Sequence, residues 1–258
     1  MKTNVEHINL VYFSPTGTSR KIAQSICDGL KIASISEVDL TFSVSSIQKI
    51  HSNSMTIFVS PVYGGRLPRI FLERLGGMQG DGTPCIIVVV YGNRDYEDAL
   101  LELKNEVLMR GFIPVSAATF IGEHSYSTDE MPIASGRPDL CDLSLAELLG
   151  KETLDKIHMF VSGDELKVPG NYPYKDLKPQ QPVSPYSTEE CTVCGVCATL
   201  CPTDAIVIES KVVTDVDKCI KCCACVKGCP SKARVFKTPF AKYLYDNFKE
   251  RKRPEFYF

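Results

Sequence analysis

The chain predicts an α/β protein, a doubly wound five-stranded parallel sheet, with a small cysteine-rich α+β module attached. Three observations carry this. Short β-branched apolar runs alternate with stretches of helical spacing over roughly the first 160 residues. A proline-dense stretch without apolar periodicity follows. Nine of the twelve cysteines then fall between Cys191 and Cys229, eight of them in one repeat. The spacing divides the chain into residues 1–161, a linker over 162–186, a module over 187–236 and a tail over 237–258.

The first strand is expected over Ile8–Phe13, a short run typical of a buried strand. The loop Ser14-Pro15-Thr16-Gly17-Thr18-Ser19 has turn chemistry. Ile22, Ala23, Ile26 and Leu30 then recur at helical spacing. Later strands are expected near Ile35–Leu40, Met55–Val62, Cys85–Tyr91 and Ile113–Ile121. Helices are expected near Pro68–Leu75, Tyr96–Arg110 and between Leu140 and Phe160. Pro84 and Pro114 stand at strand starts, where a missing N–H costs little. Ligands of such sheets bind beyond the carboxyl ends of the strands. That singles out the loops after strands one, three and four.

Composition excludes several classes. Apolar content is 44%, charged content 23% and formal net charge −2, so no bulk field favours nucleic acid or anionic lipid. The longest purely apolar run, Cys85–Tyr91, is too short to span a bilayer. The mixed-charge start, Met1–His7, lacks the pattern of a signal peptide, and a cytoplasmic location is expected. Clustered cysteines in a reducing compartment point to metal before disulfides.

The first loop presents Ser14, Thr16, Thr18 and Ser19 with Gly17 at a helix N-terminus, where N–H groups and the helix dipole favour an anion. It has neither the lysine of a Walker loop nor the glycine spacing of a dinucleotide fingerprint. A terminal monophosphate suits it. A plain capped turn is the competing reading. In the later part, Cys191-x-x-Cys194-x-x-Cys197-x-x-x-Cys201-Pro202 recurs as Cys219-x-x-Cys222-x-x-Cys225-x-x-x-Cys229-Pro230, offset by 28 residues. Zinc ribbons use Cys-x-x-Cys pairs, without the triple run or the Cys-Pro ending.

The loop Ser14–Ser19 resembles the phosphate loop of flavodoxins, and the cysteine repeat resembles that of bacterial two-cluster ferredoxins. Together they resemble the flavodoxin–ferredoxin fusion proteins of anaerobic microbes. The first resemblance implies FMN at the switch point between strands one and three. It implies that Pro61, Val62, Tyr63, Gly64 and Gly65 flank one side of the flavin ring. Tyr91, Gly92, Asn93, Arg94 and Tyr96 would flank the other, with Tyr96 as the stacking aromatic. The chain has no tryptophan, which such ring sites often use. Arg66 and Arg94 stand where flavodoxins tend to be acidic, and plain surface charges are the alternative.

The second resemblance implies two [4Fe–4S] clusters. In ferredoxins of this kind the fourth cysteine of each run ligates the other cluster. Cys191, Cys194, Cys197 and Cys229 would then hold one cluster, and Cys219, Cys222, Cys225 and Cys201 the second. The module holds six acidic and six basic residues, whereas such ferredoxins are usually acidic. Cys223 breaks the ligand spacing and reads as a small non-ligand. Cys27, Cys85 and Cys141 read as core residues.

His124 lies in a long Ser/Pro/Gly/Asp-rich loop, Gly122–Pro138, of the kind that serves as a lid or binding loop. It reads either as a structural histidine or as a donor to flavin or substrate. Tyr172, Tyr174 and Tyr186 would pack the linker as a strap on both domains; a passive tether is the alternative reading. Phe240, Tyr243, Leu244 and Phe248 share one helical face, for packing or for a partner or dimer contact. The favoured function is electron relay between clusters and FMN, linked to a redox partner protein or small-molecule acceptor. The alternative is an FMN-dependent reductase in which His124 or Arg94 assists. A third is a binding module without FMN.

Overall fold

The computed structural model describes residues 5–46, 49–50, 53–158, 166–177 and 181–258. The five expected strands form as β1 (His7–Tyr12), β2 (Ile35–Asp39), β3 (Ser54–Pro61), β4 (Thr83–Tyr91) and β5 (Phe112–Ile121). Between them run α1 (Thr18–Leu30), α2 (Arg69–Arg74), α3 (Ala99–Met109) and, after β5, α4 (Leu140–His158). Their spatial order, β2-β1-β3-β4-β5, is the flavodoxin-like doubly wound order, and all of these pairs are parallel. β4 is buried at every residue and β3 at all but its last, as expected of strands covered on both faces.

The strand period of two sorts side chains into two cores. Ile8, Leu10 and Tyr12 of β1 join Ile57, Val59, Ile86 and Val88 beneath α1 and α4. Val11 joins Phe58, Ile87 and Val89 beneath α2 and α3. Ile22, Ala23, Ile26 and Leu30 are all buried on one face of α1. Helices α1 and α4 cross closely because each offers a glycine to the other's backbone. A side-chain carbon on Gly29 would stand 1.9 Å from the Glu147 carbonyl oxygen, and one on Gly150 2.3 Å from that of Ile26.

The sheet departs from expectation in having a sixth strand. Residues Glu255–Tyr257 lie antiparallel on β5, pairing Phe256 with Ala118. This strand covers an edge that would otherwise present unpaired backbone groups. α3 begins at Ala99 and not at Tyr96, because Glu97 is left-handed (φ 42). Cys141 is exposed and not a core residue. The buried face of α4 carries Asp142, Ala146, Leu149, Gly150, Thr153 and Ile157, and Cys141 falls one residue off it. Cys27 and Cys85 are buried, as expected.

Of the linker, residues 162–165 and 178–180 lie outside the described part. Residues 166–177 form a strap along α3. Leu166 is buried in the second core, and Tyr174 accepts a hydrogen bond from Asn105 at 2.7 Å. Asp98 fastens the strap, accepting from the backbone N–H groups of Asn171 (2.8 Å) and Lys175 (2.7 Å). Tyr172 is 78% exposed and meets Tyr174 edge to face, so it packs little.

The cysteine-rich module contains β6 (Tyr186–Ser187), α5 (Val196–Thr199), β7 (Ile206–Ile208), β8 (Val212–Thr214), α6 (Ala224–Lys227) and β9 (Arg234–Val235). The repeat in sequence is a repeat in backbone. Left-handed residues recur 28 apart, at Val193 and Lys221, Gly195 and Cys223, and Asp204 and Lys232. Its buried hydrophobic cluster consists of Cys197, Ile206 and Cys225, too few to fold a module unaided.

The tail forms α7 (Pro239–Asn247) and then β10 (Glu255–Tyr257), the sixth strand. Thr238 caps α7 by accepting from Phe240 N–H at 3.3 Å, with Pro239 in the first turn. Leu244 is buried, but Phe240 and Tyr243 are about half exposed and stack on each other. The expected apolar face is therefore only partly covered. Among the described residues, no helix is long and apolar enough to cross a membrane.

Candidate functional site

The loops singled out in sequence meet at the carboxyl edge of the sheet. Gly17 is left-handed (φ 81) and opens α1. The first turn of a 13-residue helix has N–H groups outside the intrahelical ladder. Ser14 Oγ accepts from Arg20 N–H at 3.0 Å, and Thr41 Oγ1 holds Ser14 N–H at 2.9 Å. Ser19 is fully buried, and its Oγ has no partner among the described residues. Thr18 lies beside the start of the long loop, where a side chain on Gly122 would meet it at 3.2 Å. An orphaned hydroxyl at a helix N-terminus fits a phosphate, and with it FMN.

The second loop reverses at Tyr63-Gly64-Gly65-Arg66. Both glycines have positive φ (64 and 87), and Tyr63 and Arg66 pair across the turn. Val62 N–H bonds to the Val90 carbonyl at 3.0 Å, and Asp98 N–H to that of Gly65 at 3.1 Å, joining this loop to the third. Arg66 is not a free cation at the ring. It forks onto Glu102 (2.6 and 2.8 Å), donates to the Lys175 carbonyl and lies over the Tyr174 ring, anchoring the strap. Arg94 pairs with Glu97 at 2.8 Å.

In the third loop Asn93 is left-handed (φ 65) and buried. Its Nδ2 donates to the carbonyls of Phe248 and Glu250, and its Oδ1 has no partner among the described residues. Tyr91 and Tyr96 meet edge to face at 5.4 Å. The Tyr96 hydroxyl donates to Glu255 at 2.6 Å and lies 3.1 Å from that of Tyr257. Tyr96 is thus committed to the C-terminal strand.

His124 packs on Gly92, where any side chain would strike its ring. Its Nδ1 accepts from Tyr126 N–H at 3.0 Å, which leaves Nε2 as the protonated nitrogen. Burial, then Arg94 and Lys227, lower its pKa to about 4, so it is neutral at physiological pH. Tyr126 packs edge-on against His124 and Phe236.

In the module, Cys201, Cys219, Cys222 and Cys225 line one apolar cavity with Ile206 and Ile220. Thiols from both halves of the repeat therefore face one space. Burial pushes the Cys222 thiol up to about 12, and raises Cys219, Cys225 and Cys197 as well. Such thiols bind metal by giving up protons. Ala205 N–H points to Cys201 Sγ at 3.3 Å. Burial tends to raise Cys229, but hydrogen bonds from Ser231 and from the Arg234 and Ala233 backbone leave it lowered. Among the described residues, no three His, Cys, Asp or Glu side chains converge as ligands of one ion. A set of soft thiolates standing apart around a cavity fits a cluster.

Sequence reasoning missed Arg234. It is 2% exposed, and its Nη2 lies 3.9 Å from Cys225 Sγ. It also missed the contact between the two sites. Tyr63 packs on the second core, as does Ile220, which lies between Cys219 and Cys222 in sequence. Burial, then Cys222, Cys223, Tyr126 and Cys219, push the Tyr63 phenol well above the ordinary range. Burial, then Cys223, Cys219 and Cys222, raise Tyr126 too. Arg74 donates to the Pro202 carbonyl, and Lys227 reaches Glu123 and the Ser127 carbonyl.

Residues 185–235 match the family model described as a 4Fe-4S dicluster domain. No curated protein sequence matches the chain. Among solved structures, a flavodoxin from the domain Archaea aligns with 58% of this chain and 98% of its own, at 12% identity and TM-score 0.40. A Fusobacterium nucleatum flavodoxin bound to flavin mononucleotide aligns with 59% and 97%, at 14% identity and TM-score 0.37. The Flv1 flavodiiron core from Synechocystis sp. PCC6803 aligns with 60% of this chain, at 19% identity and TM-score 0.43. The present chain spans only 37% of that protein. The strand order, and not these scores, fixes the fold of the first part. With a flavodoxin-like sheet leading into a 4Fe-4S dicluster domain, the chain has the architecture of a flavodoxin–ferredoxin fusion.

Proposed function

We propose that the chain relays single electrons between two [4Fe–4S] clusters and FMN, exchanging them with an external low-potential redox partner. When bound, FMN accepts two electrons one at a time and each cluster carries one. Ser14, Thr16, Gly17, Thr18 and Ser19 would hold the phosphate. Residues 61–65 and Tyr91–Arg94 would flank the ring. Cys191, Cys194, Cys197 and Cys229 would hold the outer cluster, and Cys201, Cys219, Cys222 and Cys225 the inner one.

The observation that carries this reading is the seam between the two sites. Tyr63 and Tyr126, from flavin-side loops, are close enough to Cys222, Cys223 and Cys219 for those thiols to act on their phenols. Ile220, between two of those cysteines, packs into the second core of the α/β domain. The inner set is thus the one next to the flavin site, and the outer set is left for the partner. The order would be partner, outer cluster, inner cluster, FMN, or its reverse.

One feature favours a second reading, an FMN-dependent reductase. A cavity of about 380 Å³ lies beside the third loop, with Asn93, Arg137, Tyr245 and Arg251 among its walls. A small acceptor bound there would have cations and an unpartnered amide oxygen around it.

Anaerobic reconstitution, metal and flavin analysis, and stepwise reductive titration test the proposal. The relay requires about eight irons and one FMN per chain, and three reducible centres by visible and EPR spectroscopy. Zinc in place of iron, or no flavin band, would end it. Specific turnover of a small acceptor, lost when the cavity wall is altered, would favour the reductase.

A further inference from the structure

We propose that Arg234 is the buried counter-charge of the iron–sulfur module and holds up the reduction potential of the clusters beside it. This rests on the reading above, that the thiols carry clusters.

A guanidinium is among the groups least often buried without a carboxylate. Arg234 is 2% exposed, and among the described residues no ion pair includes it. Its bonds go to neutral groups. Nη2 donates to the Pro185 carbonyl at 2.9 Å and Thr214 Oγ1 at 2.8 Å, and Nη1 reaches Ser187 Oγ at 3.2 Å. Nε has no partner. A buried positive charge with no anion demands one close by. Beyond those oxygens it reaches a thiol. Cys225 Sγ is 3.9 Å from Nη2.

The internal repeat supplies a control within the same molecule. The position 28 residues before Arg234 is Ile206, buried at the start of the equivalent strand after the crossing cysteine. An apolar side chain serves the packing there. A cation in the second copy therefore answers to charge.

Four thiolates around a cubane leave net negative charge in either redox state. Reduction adds one electron, taken from the one-electron donor that is thereby oxidised, and deepens that charge. A fixed cation in a dry site stabilises the reduced state more than the oxidised one. Removing it lowers the potential. The inner cluster, ligated by Cys225 and Cys219, should feel this most.

The test uses anaerobically prepared full-length protein, with iron content and EPR-monitored potentials for wild type, Arg234→Gln and Arg234→Lys. The Gln variant should show at least a tenfold fall in the reduction equilibrium constant of one cluster, ~59 mV for a one-electron couple. The Lys variant should regain most of it. A Gln variant with full iron and unchanged potentials overturns the proposal. If the Gln variant loses iron, retention by the Lys variant supports the counter-charge. Equal loss from both overturns it, because the bonds to Pro185 and Thr214 would then be the whole role. Wild-type protein that takes up no iron fails the underlying reading instead, before any variant is made.

Discussion

Ser19→Ala should have opposite signs in the flavin-free and flavin-bound protein. Ser19 is 0% exposed and its Oγ has no partner. A buried unsatisfied hydroxyl costs about 1–3 kcal/mol. Alanine removes that cost and is the better helix former. At the low end, about 1 kcal/mol, the flavin-free α/β domain should gain about 2–4 °C in Tm. A hydrogen bond to a charged group is worth about 1.5–3 kcal/mol. If Ser19 Oγ meets the FMN phosphate, the variant should bind FMN about ten- to 150-fold more weakly. Fluorescence titration gives the affinity, and thermal unfolding of flavin-free protein gives the stability. Wild-type FMN affinity in the variant, or a lower Tm without flavin, would refute the assignment of this loop.

Asp98→Ala should cost about 3 kcal/mol or more, since the backbone N–H groups of Asn171 and Lys175 lose the buried carboxylate that accepts from them. Protease cleavage within residues 166–177 should accelerate, and an unchanged cleavage pattern would deny the strap its anchor. Asp142→Asn leaves the buried Arg137 guanidinium without its forked partner, at about 3–5 kcal/mol. Arg137 also donates to the Lys252 carbonyl, so amide exchange at Glu255–Tyr257 should quicken. Exchange as slow as in wild type would show that the tail does not depend on this pair. His124 has a folded pKa of about 4 against an ordinary 6.5, so between these values the unfolded chain binds the proton that the folded chain does not. Stability should therefore fall as pH drops from 6.5 toward about 4, and His124→Gln should flatten that slope in urea midpoints at pH 7 and 5. An equal slope in the variant would place the titration elsewhere.

The α/β sheet was legible because local pattern and burial agree there. Ile22, Ala23, Ile26 and Leu30 mark the buried face of α1 without any tertiary knowledge. The twelfth-hour features of the chain were not local. Glu255-Phe256-Tyr257 is too short to read as a strand, and only β5, far away in sequence, makes it one. Cys141 looked apolar in context, yet Asp142 takes the core-facing place because Arg137 waits there to pair with it. Sequence statistics put arginine at the surface, so nothing flagged Arg234. The cysteine spacing exposed the module, but its approach to Tyr63 and Tyr126 depends on loops from distant strands. Asp98 has the composition of a helix cap, and the structure turns its carboxylate to the strap instead.

The return of Glu255–Tyr257 to the edge of β5 has a mechanical consequence. The cysteine-rich unit is moored at both its entrance and its exit to one slab, as a bucket hangs from two ends of its handle. A unit tied once can swing; a unit tied twice has lost most of its rotational freedom. Donor and acceptor spacing would then be a fixed dimension of the molecule, and a single backbone cut in the strap would leave the halves still joined.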